Sequence, residues 1–243
     1  MKKYFYDLHI HSCLSPCADD DMTPENIAGM AAVCGLQIIA LTDHNTCKNC
    51  RAFFTAAKKH GIVPIAGVEL TTAEDVHLVC LFPTLEKAEK FDSEIQGHRV
   101  LYKNKSEIFG EQLIMDENDE VVAIEENLLI NALTLDIVSL YELLQKYEAS
   151  IFPAHIDREE NGIISILGTL PDKPYFPCVE INKSENIDKY TKSLNLNDKL
   201  ILINSDAHRL WEINEAENFI MLEDELCGLK DITEKLMHLI SKK

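Results

Sequence analysis

Tyr4-Phe5-Tyr6-Asp7-Leu8-His9-Ile10-His11 is the stretch from which the fold is read. It alternates with the period of a strand, so Phe5, Asp7, His9 and His11 share one side and Tyr4, Tyr6, Leu8 and Ile10 the other. Two imidazoles on one strand face lie close enough to share a cation. An isolated pair would fit two hydrogen-bonded polar side chains equally well, so the rest of the chain has to decide.

Downstream, strand and helix patterns alternate. Thr23-Pro24-Glu25 offers an N-cap, a proline at the first helical position and a first-turn acid, which predicts a helix to about Cys34 that stops at Gly35. Gln37 to Leu41 predicts a strand ending at Thr42-Asp43-His44, and a helix follows through Arg51 to His60 and Gly61. Ile62 to Leu70, Val76 to Phe82, Ile151 to Ala154, Cys178 to Ile181 and Leu200 to Asn204 predict further strands. Tyr141 to Tyr147 and Lys230 to Ile240 read as amphipathic packing helices. This rhythm predicts an α/β fold with a parallel sheet and right-handed crossovers, either closed as a barrel or open and doubly wound.

The length of 243 residues fits one domain, 1–243. Residues from about Glu94 to Asn131 break the rhythm. There, Gln112 to Met115 and Val121 to Ile124 flank the turn Asp116-Glu117-Asn118-Asp119, predicting an inserted hairpin that is either a lid or a solvated excursion.

Composition sets further expectations. With 23 basic against 41 acidic residues the formal charge is −18, which repels a nucleic-acid backbone unless metals or a local basic patch reverse the field, so a small phosphorylated substrate is expected over a long polynucleotide. No apolar run is long enough for a membrane span, and Asp7, His9 and His11 come too early for a secretory signal, so a cytoplasmic protein is expected. Eight cysteines are then expected as reduced thiols, with Cys34, Cys80, Cys178 and Cys227 in apolar core positions. Cys13-x-x-x-Cys17 and Cys47-x-x-Cys50 follow the first two strands, which suggests either a separate structural zinc or iron–sulfur site or loop thiols with no shared role.

His44, Glu69, His77, His155, Asp206 and His208 all fall at or just beyond predicted strand ends. In a β/α barrel those ends lie on one face, where active sites are built. In order, Asp7-Leu8-His9-Ile10-His11-Ser12, Leu41-Thr42-Asp43-His44-Asn45, Gly67-Val68-Glu69, Val76-His77-Leu78, Pro153-Ala154-His155 and Asn204-Ser205-Asp206-Ala207-His208 span nearly the whole chain. In these motifs the chain resembles the polymerase and histidinol phosphatase (PHP) family of metal-dependent phosphoesterases. The resemblance implies a distorted seven-stranded TIM-like (β/α) barrel with a centre of two or three divalent metals, commonly zinc, manganese or iron. It assigns metal-ligand roles to His9, His11, His44, Glu69, His77, His155, Asp206 and His208. It also implies hydrolysis of small phosphate esters through a metal-activated hydroxide, with Asp206, His208 and His155 as the catalytic side chains.

One departure stands out. Six residues beyond His11, where relatives often have another histidine, or one residue earlier an aspartate, this chain has Pro16-Cys17. Cys17 is the candidate substitute ligand, and its thiolate would favour zinc or iron. Asp19, Asp20 and Asp21 offer oxygen instead, and a site completed without any ligand here is the third possibility. Asp43 and Asp7 are candidates to orient metal-bound imidazoles. Arg158, Lys183 and Arg209 are candidate phosphate grips, although surface ion pairs would also explain them. His60, His98 and His238 fall outside the pattern. Three other readings remain: an amidohydrolase-type metal hydrolase, which also opens with H-x-H, a non-catalytic metal-binding regulatory domain, and a nuclease or polymerase-associated proofreading domain, which the acidity disfavours. Thr42-Asp43-His44 and Asp206-x-His208 favour the phosphoesterase.

Overall fold

Capping chemistry places the first helix where the sequence predicts it. Thr23 Oγ1 accepts from the Asn26 N–H at 3.3 Å, Pro24 occupies the first turn, and Gly35 leaves the helix with φ of 78°. The structure, a computed structural model, describes residues 1–223 and 229–242. Its first half contains β1 (Lys2–Asp7), α1 (Pro24–Val33), β2 (Ile38–Leu41), α2 (Cys50–Lys59), β3 (Val63–Thr71), β4 (His77–Phe82) and α3 (Leu85–Ile95). The predicted insertion carries α4 (Ser106–Phe109), β5 (Leu113–Met115) and β6 (Val121–Ile124). Then follow α5 (Ile137–Gln145), β7 (Ser150–Pro153), α6 (Ile163–Leu167), β8 (Cys178–Glu180), α7 (Ile187–Leu194), β9 (Leu200–Leu202), β10 (Phe219–Leu222) and α8 (Leu229–Ser241).

The main sheet has six strands in the order β10-β1-β2-β3-β4-β7. β1, β2 and β3 run parallel, as expected, but β4 is antiparallel to both β3 and β7. The expectation of an all-parallel sheet fails for a local reason. Only Thr72–Val76 joins β3 to β4, closed by the Thr72 N–H to Val76 carbonyl bond of 2.9 Å, whereas a parallel crossover needs roughly a dozen residues. β10, which the periodicity did not single out, pairs antiparallel with β1 at the sheet edge.

The sheet is curled. Tyr6 and Leu8, Ile38 and Ala40, Val63 and Ile65, Val79 and Leu81, and Phe152 and Ala154 point alternate side chains into one apolar cluster, which Cys178, Leu202 and residues of α8 complete. A second cluster packs α1, α2, α3 and α5 on the outer face, so β2 and β3 are buried along their whole length. A closed seven-stranded barrel is not what the hydrogen bonds describe. β8 and β9 form a separate parallel ladder, joined to the main sheet by single contacts: Ile156 N–H to Glu180 O at 2.9 Å and His11 N–H to Ala207 O at 3.0 Å.

The inserted hairpin is held by the loops after β1 and β2. Leu113 N–H donates to Cys13 O at 2.9 Å, Met115 N–H to Asn49 Oδ1 at 2.9 Å, and Asn45 Nδ2 to Leu129 O at 2.6 Å. Cys80 and Cys178 are core residues as expected, and Cys34 is only partly buried. Cys227 lies outside the described residues. The four-thiol site is not formed: Cys13 packs with Ala52 and Met115, Cys47 and Cys50 sit in the outer core, and no cysteine joins a set of ligand atoms among the described residues. Among these residues no helix is long and apolar enough to cross a membrane.

Gly162 closes the loop that follows β7, and a Cβ there would lie 2.3 Å from Arg158 O. Because that neighbour is backbone, Gly162→Ala has to move the Arg158 loop. Overpacking of this kind destabilises by about 1–3 kcal/mol. The expected result is a fall in melting temperature of roughly 2–12 °C; an unshifted melt would show the loop to be compliant.

Candidate metal centre

The strand ends bring the eight sequence-predicted residues to one rim. His9 and His11 lie just past β1, where Ile10 bridges to Ala207, and His44 lies past β2, bridged to Glu69 near the end of β3. His155 follows β7, and Asp206 and His208 follow β9. His77 is the first residue of β4, not its last. The reversal of that strand is what delivers it to the same rim, opposite Thr71.

Glu69 stands at the middle. Its Oε1 lies 3.3 Å from His9 Nε2, 2.8 Å from His77 Nδ1 and 3.2 Å from His155 Nε2, while Oε2 lies 3.3 Å from His11 Nε2 and 3.1 Å from His44 Nδ1. Asp206 Oδ1 is 3.3 Å from His9 Nε2 and 3.2 Å from His11 Nε2. Donors about 2.0–2.2 Å from a shared cation sit at roughly such mutual distances. Three overlapping sets result: His9, His11, Glu69 and Asp206; His44, Glu69 and His77; and His11, His44 and His208.

Unpaired atoms support the fit. His44 Nδ1, His77 Nδ1 and Asp206 Oδ1 are buried without a hydrogen-bond partner although each faces this cluster. A buried polar atom left unpaired costs about 1–3 kcal/mol, which a ligated cation would offset. The donor set of imidazoles and carboxylates suits zinc, manganese or iron.

The surrounding hydrogen bonds fix the tautomers. His9 Nδ1 donates to Glu180, whose oxygens lie at 3.0 and 3.1 Å, leaving Nε2 free for the cluster. Ser15 Oγ donates to Asp43 Oδ1 at 2.7 Å and lies 3.0 Å from His11 Nδ1, so it accepts a hydrogen bond from the Nδ1–H and leaves Nε2 to face the cluster. His208 Nδ1 donates to Asp206 O at 2.8 Å. The expected partner Asp43 thus acts on His11 through Ser15, not on its neighbour His44. Asp7 touches no imidazole: it accepts from the backbone N–H groups of Ser205 and Asn214 at 3.1 and 3.2 Å, and burial pushes its carboxyl up to about 6.

Glu180 was not anticipated from the sequence. Besides His9 it accepts from His155 N–H at 2.9 Å and Asn204 Nδ2 at 2.6 Å, joining three strand ends. The available signal was a lone acid in the apolar run Cys178-Val179-Glu180-Ile181, fully buried in the fold. Glu180→Gln keeps the shape and removes the charge facing His9. It should weaken cation binding by roughly 10- to 100-fold, read by metal titration, while the fold survives.

Electrostatics divide the imidazoles. Burial depresses His9, but the charges of Glu180, Glu69 and Asp206 overcome it and hold it well above its ordinary value. His11 is raised to about 9, its burial outweighed by the carboxylates of Asp206 and Glu69 facing it. Burial keeps His44 well below the usual range, and burial beside His11 takes His208 down to about 4. Burial pushes the Glu69 carboxyl up, yet His77, His9 and His44 hold it well below the usual carboxylate range.

The cluster faces a cavity of about 280 Å³, lined by His44, Glu69, His77, His155 and Ile130 of the insertion, and a second of about 730 Å³ shares Arg158, Asp206 and His208 with it. Arg158, Lys183 and Arg209 all line the larger cavity. Arg158 pairs with Asp206 Oδ2, and Arg209 meets Asp19 at 3.4 Å and Glu212 at 3.1 Å. Cys17 is exposed and lines both cavities but belongs to none of the three donor sets. Asp19, Asp20 and Asp21 also lie outside those sets.

Comparison with known proteins agrees with this geometry. A "5'-3' exoribonuclease" of Haemophilus influenzae is 31% identical over 112 residues, 44% of this chain and 39% of that protein. The "novel lesion-specific endonuclease PfuEndoQ" of Pyrococcus furiosus superposes with a TM-score of 0.66 at 18% identity, over 99% of this chain and 56% of its own. A putative metal-dependent phosphoesterase of Bifidobacterium adolescentis gives 0.60 at 15% identity, over 98% and 96%. The chain therefore spans about half the length or less of the two nucleases.

The expectation that acidity makes nucleic acid an unlikely partner is overturned, because one nuclease is similar to this chain in sequence and the other shares its fold. Net charge sums the whole surface, whereas a substrate meets the local field of a cleft. Here that cleft is lined by Arg158, Lys183 and Arg209 together with Asp157, Glu159, Glu160, Asp206 and Glu212, so cations held at the donor cluster would be needed to make its field positive. The PHP domain description matches residues 7–167, from the opening strand through α6, and the chain belongs to the PHP domain family.

Proposed function

We propose that the chain is a metal-dependent hydrolase that cleaves phosphodiester bonds in nucleic-acid strands. The observation that carries this reading is the adjacency of two cavities that share Arg158, Asp206 and His208: one holds a donor cluster fit for cations, and the other is lined by Arg158, Lys183 and Arg209 from three separate loops, among carboxylates that bound cations would offset. His9, His11, His44, Glu69, His77, His155, Asp206 and His208 are the proposed ligands. Bound there, two or three divalent cations would activate water and neutralise phosphoryl charge.

The chain's own groups do the rest. Arg158 and Lys183 grip the scissile phosphate, Arg209 its neighbour, and Asp206 orients the attacking water while Arg158 holds its second oxygen. With a value near 4, His208 is neutral at pH 7 and serves as a ligand sooner than as a proton donor. His155 is held with φ of 28°, a left-handed conformation unusual for a side chain of its size, by the Glu180 bond to its N–H.

The test is hydrolysis by metal-reconstituted protein of end-labelled single strands and duplexes, set beside mononucleotides and p-nitrophenyl phosphate. Cation-dependent cleavage of strands supports the reading. Turnover confined to monoesters, or none by metal-loaded protein, overturns it.

A further inference from the structure

Trp211 is the single tryptophan of the chain and is 71% exposed. An indole left in water forgoes the burial of a large apolar surface, and such rings commonly wait for an amphipathic partner. Its placement is not casual. The ring rides on the turn Leu210–Glu212, directly after His208 and Arg209, and Arg209 just before that turn and Glu212 at its end line the cavity beside the donor cluster.

That turn is tied rigidly to the centre. Glu212 Oε2 accepts from His208 N–H at 3.0 Å, and Glu212 Oε1 accepts from Arg209 Nη1 at 3.1 Å. Glu212 N–H in turn donates to Arg209 O at 2.9 Å, and His208 O accepts from Asp19 N–H at 3.0 Å. The Arg209 guanidinium carbon stands 5.8 Å from the indole centroid, which places a cation beside a flat apolar face. A phosphate on Arg209 would bring the base of the same nucleotide towards Trp211.

Resting on the nuclease reading above, we infer that Trp211 is a base-stacking platform at the mouth of the site, receiving a nucleobase of an unpaired strand next to the phosphate held by Arg209. Stacking on an aromatic side chain accepts any of the bases, because each has a π face, so the device selects for an exposed base and not for sequence. A paired, fully stacked duplex offers no free face and is the poorer ligand.

The lone indole is its own reporter. Metal-loaded protein is titrated with a short single-stranded oligonucleotide, and in parallel with a strand of equal length and charge built from abasic sugar phosphates, following tryptophan fluorescence. Quenching by the base-bearing strand, with none by the abasic strand, is the expected result. In turnover, Trp211→Ala should raise KM for the base-bearing strand by roughly 5- to 150-fold with little change in kcat, and leave abasic phosphodiesters unaffected. Trp211→Phe, which keeps a smaller π face, should recover part of that loss.

Equal quenching by both strands, or an unchanged KM in the alanine variant, overturns the inference. The two proposals fail separately. Base-dependent quenching without hydrolysis would leave the platform standing and remove the nuclease, whereas hydrolysis without it would do the reverse.

Discussion

Glu69→Gln protein is expected to bind its cations roughly 10²- to 10³-fold more weakly than wild type and to lose hydrolysis with them. The carboxylate stands within 3.3 Å of five imidazoles and shares two of the three donor sets. Glutamine matches its shape but not its charge, and one amide end can only donate, so it opposes the ring nitrogens that must face a cation. Removing one partner from a buried charged set commonly costs about 3–5 kcal/mol, which is the size of the stated loss. Metal content after dialysis and isothermal titration would check it, with circular dichroism to verify the fold. A Gln variant that retains the full metal complement would remove Glu69 from the proposed ligands.

Chelation should lower the melting temperature, and the gap between loaded and stripped protein should widen with pH. At a free metal concentration a thousandfold above Kd, ligation stabilises by about 4 kcal/mol, or roughly 8–16 °C for a chain of this size. The pH sign follows from His11. Its value in the metal-free fold is raised from 6.5 to about 9, so its contribution to metal-free stability is fully present below 6.5 and is lost as pH rises through 9. A cation must displace that proton, so binding tightens over the same interval. Scanning calorimetry with and without chelator between pH 6.5 and 9 would show the two curves diverging. Parallel curves would mean that His11 is not a ligand, or that its proton is not there to be displaced.

The site was far more legible in the sequence than its sheet. His9 and His11 announce themselves because a strand's period of two sends alternate residues to one face, and ligands that must meet at a rim must fall at strand ends. The reversal of β4 was written in the brevity of Thr72–Val76, yet an apolar run such as Val76 to Phe82 has no direction in its pattern. Glu180 escaped because orienting a ligand through its far nitrogen imposes no spacing along the chain. Ser15 likewise looked like an ordinary loop residue, although it alone links Asp43 to His11. Net charge misled for a different reason: it sums the whole chain, while a substrate meets the side chains of one cavity, where Arg158, Lys183 and Arg209 stand among the acids.

The reversed β4 also sets an order of assembly. Glu69 and His77 belong to one tight antiparallel hairpin, so two of the three members of a donor set can come together through contacts between near neighbours along the chain. His9 and Asp206, by contrast, are separated by most of the polypeptide and meet only when β9 reaches β1. Local contacts form early and distant ones late. A cation captured first by the hairpin would template the arrival of the chain's ends, and refolding should then be faster in its presence than in its absence.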